Sequence, residues 1–557
     1  MEKLIKHPFF FYIKKFKTEF SLGCLALLIT DAADILSPYI MGKLLDKFQE
    51  QQSLEGTKLL FIALIAASLS TAIFRYAWRV LFAKFHHGAA LDLRLKTYRA
   101  FFKKDLIDFS KQSTGDKMSL FTKDIENFRM GLGPGLLILM DAVLYLIFIP
   151  LTMWQLNPQW TIALVLIAPI IPVIIALMEK RLNHLFDNQQ KELSTLSAFT
   201  QESLEGIKVI KSFRMEKFRS HLYDLENKKL FKTSTKLDFL HSSFSPVLEF
   251  FVSVSCSALL LSVALYSDLG TLKIGTLFAF YQYMQRMTWP LTALGLSYMM
   301  ITEAKSSFKR LKLVLEESPQ EEQTETSSTG LSNVNFSYPE SPAFFQNLDL
   351  PLKSGQSYLI TGRTKSGKTT LLNLLSGLLI PSKGKSTPPE SFVGNPQVPF
   401  LFMDSIDNNI SNTPPSKEEL KGISFLPEYE NLADKGDTLV GEKGTSLSGG
   451  QKQRLSLLRA LKSDAKILFL DEPLSAVDET TKKEISQTLK DEVRNGRSLV
   501  IATSNPEHYT WLENSILVSE EQDTRYVEVF KTAEALNLPK FKSLLRVKKE
   551  GLNEDRN

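Results

Sequence analysis

Long apolar stretches without charged residues recur along the chain up to about residue 305. Residues 155–178 carry no charge at all, and residues 130–154 contain one acid, Asp141. A helix that crosses a bilayer needs about 20 mostly apolar residues. The pattern therefore predicts six membrane spans, centred near residues 30, 68, 142, 170, 258 and 290.

The segments between these spans are of two kinds. Residues 75–128 and 179–240 are long and charged but keep a helical spacing of apolar residues. At a rise of 1.5 Å per residue, they predict pairs of long helices that extend beyond the bilayer, with turns near residues 110–118 and 212–218. The alternative is a solvated helical extension without any contact role.

The distribution of basic residues predicts the orientation. The first 17 residues contain Lys3, Lys6, Lys14, Lys15 and Lys17, whereas the short loops predicted on the opposite side are poor in Lys and Arg. By the positive-inside rule, both termini are expected in the cytoplasm. A signal peptide at residues 1–30 is the alternative, but the apolar run SLGCLALLIT is followed by DAAD and more apolar residues, without a convincing cleavage site.

The second part of the chain alternates strands and helices. The predicted strand 357–360 is followed by GRTKSGKTT and then by an apolar helix, which matches G-x-x-x-x-G-K-T. Such a loop binds phosphate oxygens through backbone N–H groups at a helix N-terminus. The predicted contacts are Gly362, Arg363, Thr364, Lys365, Ser366, Gly367, Lys368, Thr369 and Thr370. Lys368 is expected to reach the β- and γ-phosphates, and the Thr369 hydroxyl to bind Mg²⁺.

Two further motifs predict a nucleoside triphosphatase. The apolar strand in ILFLDEP (467–473) ends in Asp471, a candidate Mg²⁺ ligand, and Glu472, a candidate base for the attacking water. In LSGGQKQR (447–454), Ser448 and two glycines open a predicted helix whose free N–H groups suit an anion. The alternative for LSGGQ is an ordinary capped helix with Ser448 as its N-cap.

Composition excludes several classes of protein. With 44% hydrophobic and 23% charged residues, the chain of 557 residues is not an acidic disordered protein. The net charge of +5 is too small for this length to indicate nucleic-acid binding. The two cysteines, Cys24 and Cys256, exclude a disulfide scaffold and a multi-cysteine zinc site.

Taken together, the order GRTKSGKT, Gln397, LSGGQ, LDEP, SAVD resembles the ATPase domain of ABC transporters, and the six-span half resembles their exporter type. The resemblance implies an all-α six-helix transmembrane domain followed by an α/β P-loop NTPase domain. The implied division is an N-terminal cytoplasmic elbow helix (1–18), a transmembrane domain (19–315), a linker (316–330) and an ATP-binding domain (331–557). The location it implies is a bacterial inner membrane.

The resemblance also implies roles for particular residues. Two ATPase domains close face to face in this family, so that the signature segment acts on ATP held by a partner subunit; here that segment is Leu447, Ser448, Gly449, Gly450 and Gln451. Tyr338 is similar to the aromatic residue that stacks on adenine. Gln397 resembles the residue that links the metal site, with Thr369 and Asp471, to the membrane helices. Asp478 in SAVD matches a contact between the ATPase domains.

Two departures from the family pattern bear on activity. The family has a histidine that contacts the γ-phosphate where this chain has Ser504, and the sole histidine of the second half, His508, lies four residues later. We expect slow hydrolysis at the site that carries Ser504. The segment from Gly362 to Gln397 is short, as in the first ATPase domain of the multidrug-resistance-associated branch, whose two sites are unequal. A heterodimer is therefore favoured, and a homodimer is the alternative.

Substrate signals are weaker. The predicted spans contain Asp31, Asp34, Asp141, Glu249 and Arg286. Ionisable groups at this depth line a pathway or pair with one another. Two hypotheses follow: some of the acids line the pathway and favour cationic amphiphiles, or Arg286 pairs with one of them and clamps two helices together. The predicted function is ATP-driven export of amphiphilic or drug-like compounds across the lipid bilayer, as one half of a dimeric transporter. The alternatives are a lipid or peptide exporter and an ATP-gated channel or sensor.

Overall fold

The structure is a computed structural model that describes most of the chain. The described residues are 2–50, 54–104, 106–110, 113–165, 170–266, 273–316, 329–339, 341–441, 444–521 and 524–541. They form two compact units, of which the first is Met1–Lys103 with Ser113–Glu317 and the second is Lys104–Gln112 with Ser318–Asn557. The first unit is helical and the second is built on a mixed sheet, which confirms the predicted fold class.

Helices account for all regular structure described between residues 2 and 316. In chain order they are α1 (Glu2–Lys6), α2 (Pro8–Lys15), α3 (Lys17–Gln49), α4 (Leu54–Phe101), α5 (Leu106–Ser110), α6 (Thr114–Ser119), α7 (Ile125–Met130), α8 (Leu136–Leu156), α9 (Pro158–Val165), α10 (Ile170–Glu205), α11 (Ile207–Ser212), α12 (Glu216–Ser242), α13 (Phe244–Tyr266) and α14 (Ile274–Leu315). Two π-helical turns, Leu120–Asp124 and Gly131–Gly135, continue α6 and α7 toward α8. Of these helices, α5 belongs to the second unit.

Three helical segments among the described residues are long and apolar enough to cross a membrane: Lys17–Gln49, Thr57–Phe101 and Thr114–Leu156. The sequence predicted six. The predictions near residues 170 and 258 fall partly on residues outside the described part of the chain. The sixth lies on α14, where Gln282, Gln285 and Arg286 interrupt the apolar run and reduce its hydropathy. The first three spans are therefore supported, and the count of six stays a prediction.

The long polar helices follow the predicted pattern. Helix α4 continues to Phe101, and the chain then turns before α6, which begins with a capping box at Ser113. Helices α10 and α12 pack side by side, and Gln189 donates a 2.9 Å hydrogen bond to the Ser234 hydroxyl between them. The break between α11 and α12 lies at residues 213–215, inside the segment predicted to turn.

Helices α3 and α14 approach so closely that their backbones touch. A Cβ atom on Gly275 would collide with the carbonyl oxygen of Gly42, and one on Gly42 would collide with that of Gly275. Both positions at this crossing therefore require glycine. The Gly275 N–H donates a 2.7 Å hydrogen bond to Asp46, which fixes the start of α14 against the end of α3. Small residues permit such close crossings between membrane helices.

The second unit contains a sheet of nine strands in the order β4-β1-β2-β9-β8-β3-β7-β6-β5. The strands are β1 (Gly330–Phe336), β2 (Phe345–Pro351), β3 (Tyr358–Thr361), β4 (Lys383–Thr387), β5 (Phe392–Asn395), β6 (Ile467–Asp471), β7 (Ser498–Thr503), β8 (Asn514–Glu521) and β9 (Thr524–Lys531). Strands β8, β3, β7, β6 and β5 are parallel, whereas β1 pairs antiparallel with both β2 and β4.

Both faces of the central strands are covered, as is usual for parallel strands. All of β3 is buried, and its alternate residues face different clusters: Ile360 packs with Leu371 of the following helix, and Leu359 packs with Leu457 and Ile485. Besides α5, the α-helices described in this unit are α15 (Lys368–Leu375), α16 (Ile406–Ile410), α17 (Lys417–Gly422), α18 (Leu426–Asn431), α19 (Gly449–Leu461), α20 (Glu479–Arg494) and α21 (Thr532–Ala535). The ends of β3, β6 and β7 therefore meet at one edge of a fixed sheet.

Candidate nucleotide-binding site

A glycine-rich loop connects β3 to α15, as predicted. Gly367 has φ of 107°, and a Cβ atom there would lie 2.7 Å from the Phe344 ring, so both backbone conformation and space require glycine. Lys365 also has positive φ, at 69°. The loop closes with a 3.1 Å hydrogen bond from the Ser366 N–H to the Arg363 carbonyl. The loop and the first turn of α15 thus form a curved backbone surface suited to an anion.

Lys368 is folded back over this loop. Its side chain is buried, and Nζ donates hydrogen bonds of 3.1 and 3.0 Å to the carbonyls of Gly362 and Arg363. Burial lowers the pKa of the Lys368 ammonium, and the carboxylates of Glu472 and Asp471 oppose this change. The Lys368 ammonium is therefore held at the loop by two neutral carbonyl oxygens, which a negatively charged phosphate oxygen can replace.

Thr369 and Asp471 meet at the end of β6. The Thr369 hydroxyl donates a 2.8 Å hydrogen bond to Asp471 Oδ2, while Asp471 Oδ1 is buried and has no partner among the described residues. Burial raises the pKa of Asp471, and the hydrogen bond from Thr369 opposes that rise. A buried carboxylate oxygen without a donor, beside a hydroxyl, fits a hard divalent cation that completes its shell with phosphate oxygens and water.

Glu472 is held by the end of β7. Its Oε1 accepts a 2.6 Å hydrogen bond from the Ser504 N–H, and its Oε2 accepts one of 2.9 Å from the Thr503 hydroxyl. Its backbone has φ of 44°, an uncommon value for a glutamate. The strained backbone and two donors fix this carboxylate next to the phosphate loop.

The phosphate loop and Glu472 line one cavity of about 400 Å³ in the second unit. Its lining comprises Phe344, Thr364, Lys365, Gly367, Lys368, Thr369, Thr370, Gln397, Glu472, Ser475 and Ser504. The structure thus brings together the phosphate loop, Gln397, Glu472 and Ser504, which are far apart in sequence. His508 lies elsewhere, on the turn Pro506–Tyr509, with Nε2 3.0 Å from the Glu479 carboxylate.

Two aromatic residues lie beside the phosphate loop, and the stacking of Tyr338 on adenine stays a prediction. Tyr338 shares a 3.0 Å hydrogen bond with the Thr370 hydroxyl, and it is Phe344 that lines the cavity. The Arg525 guanidinium lies 3.7 Å from the centre of the Phe344 ring, on which it stacks. Sequence reasoning missed Phe344, although its place just before β2, after Tyr338, was an available signal.

The LSGGQ segment begins α19 and is capped locally. Ser448 Oγ accepts a 3.3 Å hydrogen bond from the Gln451 N–H, and Gln451 Oε1 accepts one of 2.9 Å from the Ser448 N–H. The structure therefore contains the capped helix that the alternative predicts. This cap does not exclude phosphate binding by the segment. A Cβ atom on Gly449 would meet nothing within 4 Å, so this chain's own packing does not require glycine there. Leu447 packs at the edge of a core cluster, and Gly450 lies against the Ala476 carbonyl.

Comparison with known proteins identifies the family. The ABC transporter transmembrane region matches residues 20–291, and the ABC transporter ATPase profile matches residues 345–475. The multidrug resistance-like ATP-binding protein MdlA of Escherichia coli (strain K12) is 30% identical over 514 residues, covering 86% of each chain. The chain belongs to the ABC transporter family. It is an integral membrane protein whose ATPase domain binds ATP and couples its hydrolysis to transport.

Other ABC transporters are similar over the same extent. The probable multidrug resistance ABC transporter ATP-binding/permease protein YheI of Bacillus subtilis (strain 168) is 27% identical and covers 88% of this chain and 89% of its own. The ATP-dependent lipid A-core flippase of Pseudoalteromonas translucida (strain TAC 125) is 25% identical, with the same coverage. The structure of a bacterial Atm1-family ABC exporter with ATP bound has the same fold, with a TM-score of 0.77, 18% identity and coverage of 96% and 98%.

The family and the fold confirm the exporter architecture. One membrane unit and one ATPase unit make half of an ABC exporter, so the chain works as a dimer in the lipid bilayer. The named relatives are a multidrug resistance-like protein, a probable multidrug resistance transporter and a lipid A-core flippase, which disfavours the channel or sensor alternative.

Proposed function

We propose that the chain is half of an exporter that uses ATP to move amphiphilic, drug-like compounds across a bacterial inner membrane. The observation that carries this proposal is a complete nucleotide cavity in a chain whose relatives, matched over both units, are named for multidrug resistance and lipid A-core flipping. We propose the orientation with both termini in the cytoplasm, six spans, and domain limits at residues 18, 315 and 330.

The phosphate loop and Asp471 divide the work of holding MgATP. Backbone N–H groups of residues 362–370 bind the phosphates, and Lys368 exchanges its carbonyl partners for a β/γ-phosphate oxygen. Thr369, Asp471 and Gln397 would hold Mg²⁺, which would neutralise phosphate charge. Glu472 accepts the proton of the attacking water, because its carboxylate is fixed beside the loop.

The signature segment Leu447–Gln451 is proposed to close over ATP that the partner subunit holds, and Asp478 to contact that subunit. Ser448 and Gly449 are exposed in this chain, and the N–H groups that open α19 are available to an anion. Closure of two ATPase domains then drives the membrane helices outward, and loss of the γ-phosphate releases them.

The export proposal is tested by vesicle transport. Purified protein in liposomes, with MgATP on the side of the ATPase domain, is expected to move the lipophilic dye Hoechst 33342 across the membrane and to increase ATP hydrolysis when the dye is added. Protein with Glu472→Gln is the matched control. Equal dye movement with and without ATP would contradict the proposal.

We propose that Phe344 stacks on the nucleobase. Replacing Phe344 with Ala is expected to raise the Kd for ATP by about tenfold, because stacking of a base on an aromatic ring contributes about 1–3 kcal/mol. Binding of inorganic tripolyphosphate, measured in the same titration calorimeter, is expected to stay unchanged. Tyr338→Phe is the control, since it removes only the hydroxyl that bonds Thr370 and keeps the ring. Wild-type ATP affinity in Phe344→Ala, with a loss of affinity in Tyr338→Ala, would assign the stacking to position 338 instead.

The Ser504 site is proposed to hydrolyse ATP slowly, in a heterodimer with a more active site. Ser504 lines the cavity but offers a hydroxyl where a positive charge would stabilise the transition state. Ser504→His is therefore expected to raise the rate of ATP hydrolysis by about tenfold. Single-turnover hydrolysis is the measurement and Ser504→Ala the control; the same rate in all three proteins would refute slow hydrolysis from this cause.

A further inference from the structure

Five ionisable side chains from four helices of the first unit interact in one cluster. They are Asp31 and Asp34 of α3, Arg75 of α4, Asp141 of α8 and Arg286 of α14. These helices pack against one another within the first unit. Ionisable groups inside a membrane bundle are costly, so such a cluster marks a functional site.

Asp34 is fully paired. Arg286 forms an ion pair with Asp34, the Tyr145 hydroxyl donates to it at 2.6 Å, and Arg75 lies 4.0 Å away. The sequence left open whether Arg286 clamps two helices, and the pair with Asp34 joins α14 to α3 in that way. Both guanidinium groups of the cluster are thus directed at one carboxylate.

Asp31 is left without such a partner. Its side chain is 3% exposed, and its Oδ2 has no hydrogen-bond donor among the described residues. The Asp141 carboxyl of α8 lies within hydrogen-bonding reach of Asp31, and the two can share a hydrogen bond when one of them is protonated. Three carboxyls face two guanidinium groups, so the cluster has one negative charge too many unless a cation or a proton is bound.

Asp141 gives this pair an accessible side. Its carboxylate accepts a 2.8 Å hydrogen bond from the Trp289 indole, and the Trp289 ring is 48% exposed. An aromatic face next to a carboxylate is an arrangement that attracts organic cations. The paired Asp34 lacks this combination, because its partners are two arginines and a tyrosine.

We propose that Asp31 and Asp141 form a binding site for one monovalent organic cation, with Trp289 as its aromatic wall. The inference rests on the proposed export function and names the class of its substrate. Without a ligand, the two carboxyls share one proton; when the cation binds, that proton leaves to the solvent and the total charge of the site is unchanged. Among the described residues, the other charged or titratable groups that face the pair are Asp34, Arg75, Tyr145 and Arg286.

The test compares two dyes on the full-length protein in detergent: ethidium, whose positive charge is fixed at every pH used, and Nile red, which is neutral. Asp31→Asn is expected to weaken ethidium binding by about tenfold, because it removes the charge partner, and to leave Nile red binding unchanged. Wild-type affinity for ethidium is expected to rise with pH as the shared proton becomes easier to displace, whereas the variant has a flat profile. Glu19→Gln on the same helix, which interacts with Thr18, is the control.

Ethidium binding by Asp31→Asn with wild-type affinity and the same pH profile would overturn the inference. If Asp31→Asn fails to fold, Asp141→Asn takes its place with the same expected results. A wild-type protein that binds and exports Nile red but not ethidium would overturn the cation site while leaving the export function standing. Export of neither dye, with ethidium still bound in the Asp31-dependent way, would contradict the export function alone.

Discussion

Replacing Glu472 with Gln is expected to reduce single-turnover ATP hydrolysis at this chain's own site by at least about a hundredfold, the lower range of a general base's contribution. The amide oxygen can still accept the hydrogen bond from the Ser504 N–H, so the side chain keeps its place but no longer accepts a proton. ATP affinity is expected to stay within about twofold, because the loop and Asp471 are intact. Phosphate release and ATP binding, measured on the same preparation, check both statements.

The matched control for Glu472 is Thr503→Val, which removes the 2.9 Å hydrogen bond to Oε2 but leaves the carboxylate. That variant is expected to lose far less activity, since the Ser504 N–H still holds the other oxygen. Hydrolysis by Glu472→Gln at the wild-type rate would show that another group activates the water.

Gly449→Asp is expected to abolish ATP hydrolysis without lowering the stability of the chain. Because a side chain at 449 meets nothing within 4 Å, the fold accommodates it, and the change in the free energy of unfolding should be within about 0.5 kcal/mol. In the dimer, the new carboxylate would face the γ-phosphate bound by the partner subunit and repel it. The measurements are thermal unfolding and ATP hydrolysis at saturating MgATP.

Gly394→Asp provides the comparison for Gly449→Asp. Gly394 lies on β5, and a Cβ atom there also meets nothing within 4 Å, so the same charge enters an equally open position. This control is expected to retain both stability and hydrolysis. Full activity in Gly449→Asp would exclude a role for α19 in binding the partner's ATP.

The parts of the site that are contiguous in sequence could be predicted from it. The phosphate loop, Asp471 and Glu472 each follow a buried strand, and a parallel sheet brings those strand ends together. The helical first unit was also predictable from its apolar periodicity. The polar residues of α14 reduce its hydropathy. The sequence alone does not show that Arg286 is neutralised, because its partner Asp34 lies 252 residues away.

The contacts that depend on tertiary packing could not be predicted. Phe344 lines the cavity, and the Tyr338 hydroxyl shares a hydrogen bond with Thr370; neither contact follows from the local sequence. The unpaired oxygen of Asp31 depends on how four helices meet, and no local pattern encodes that. Sequence indicated which residues carry charge in the membrane, and packing decided which of them are neutralised.

The donor that positions Glu472 is a main-chain nitrogen, which all amino acids except proline supply. Exchange of the side chain at residue 504 is therefore expected to alter the environment of the phosphate without displacing Glu472, the proposed proton acceptor. Substitutions at residue 504 alone can therefore change the rate of hydrolysis while the position of Glu472 stays the same.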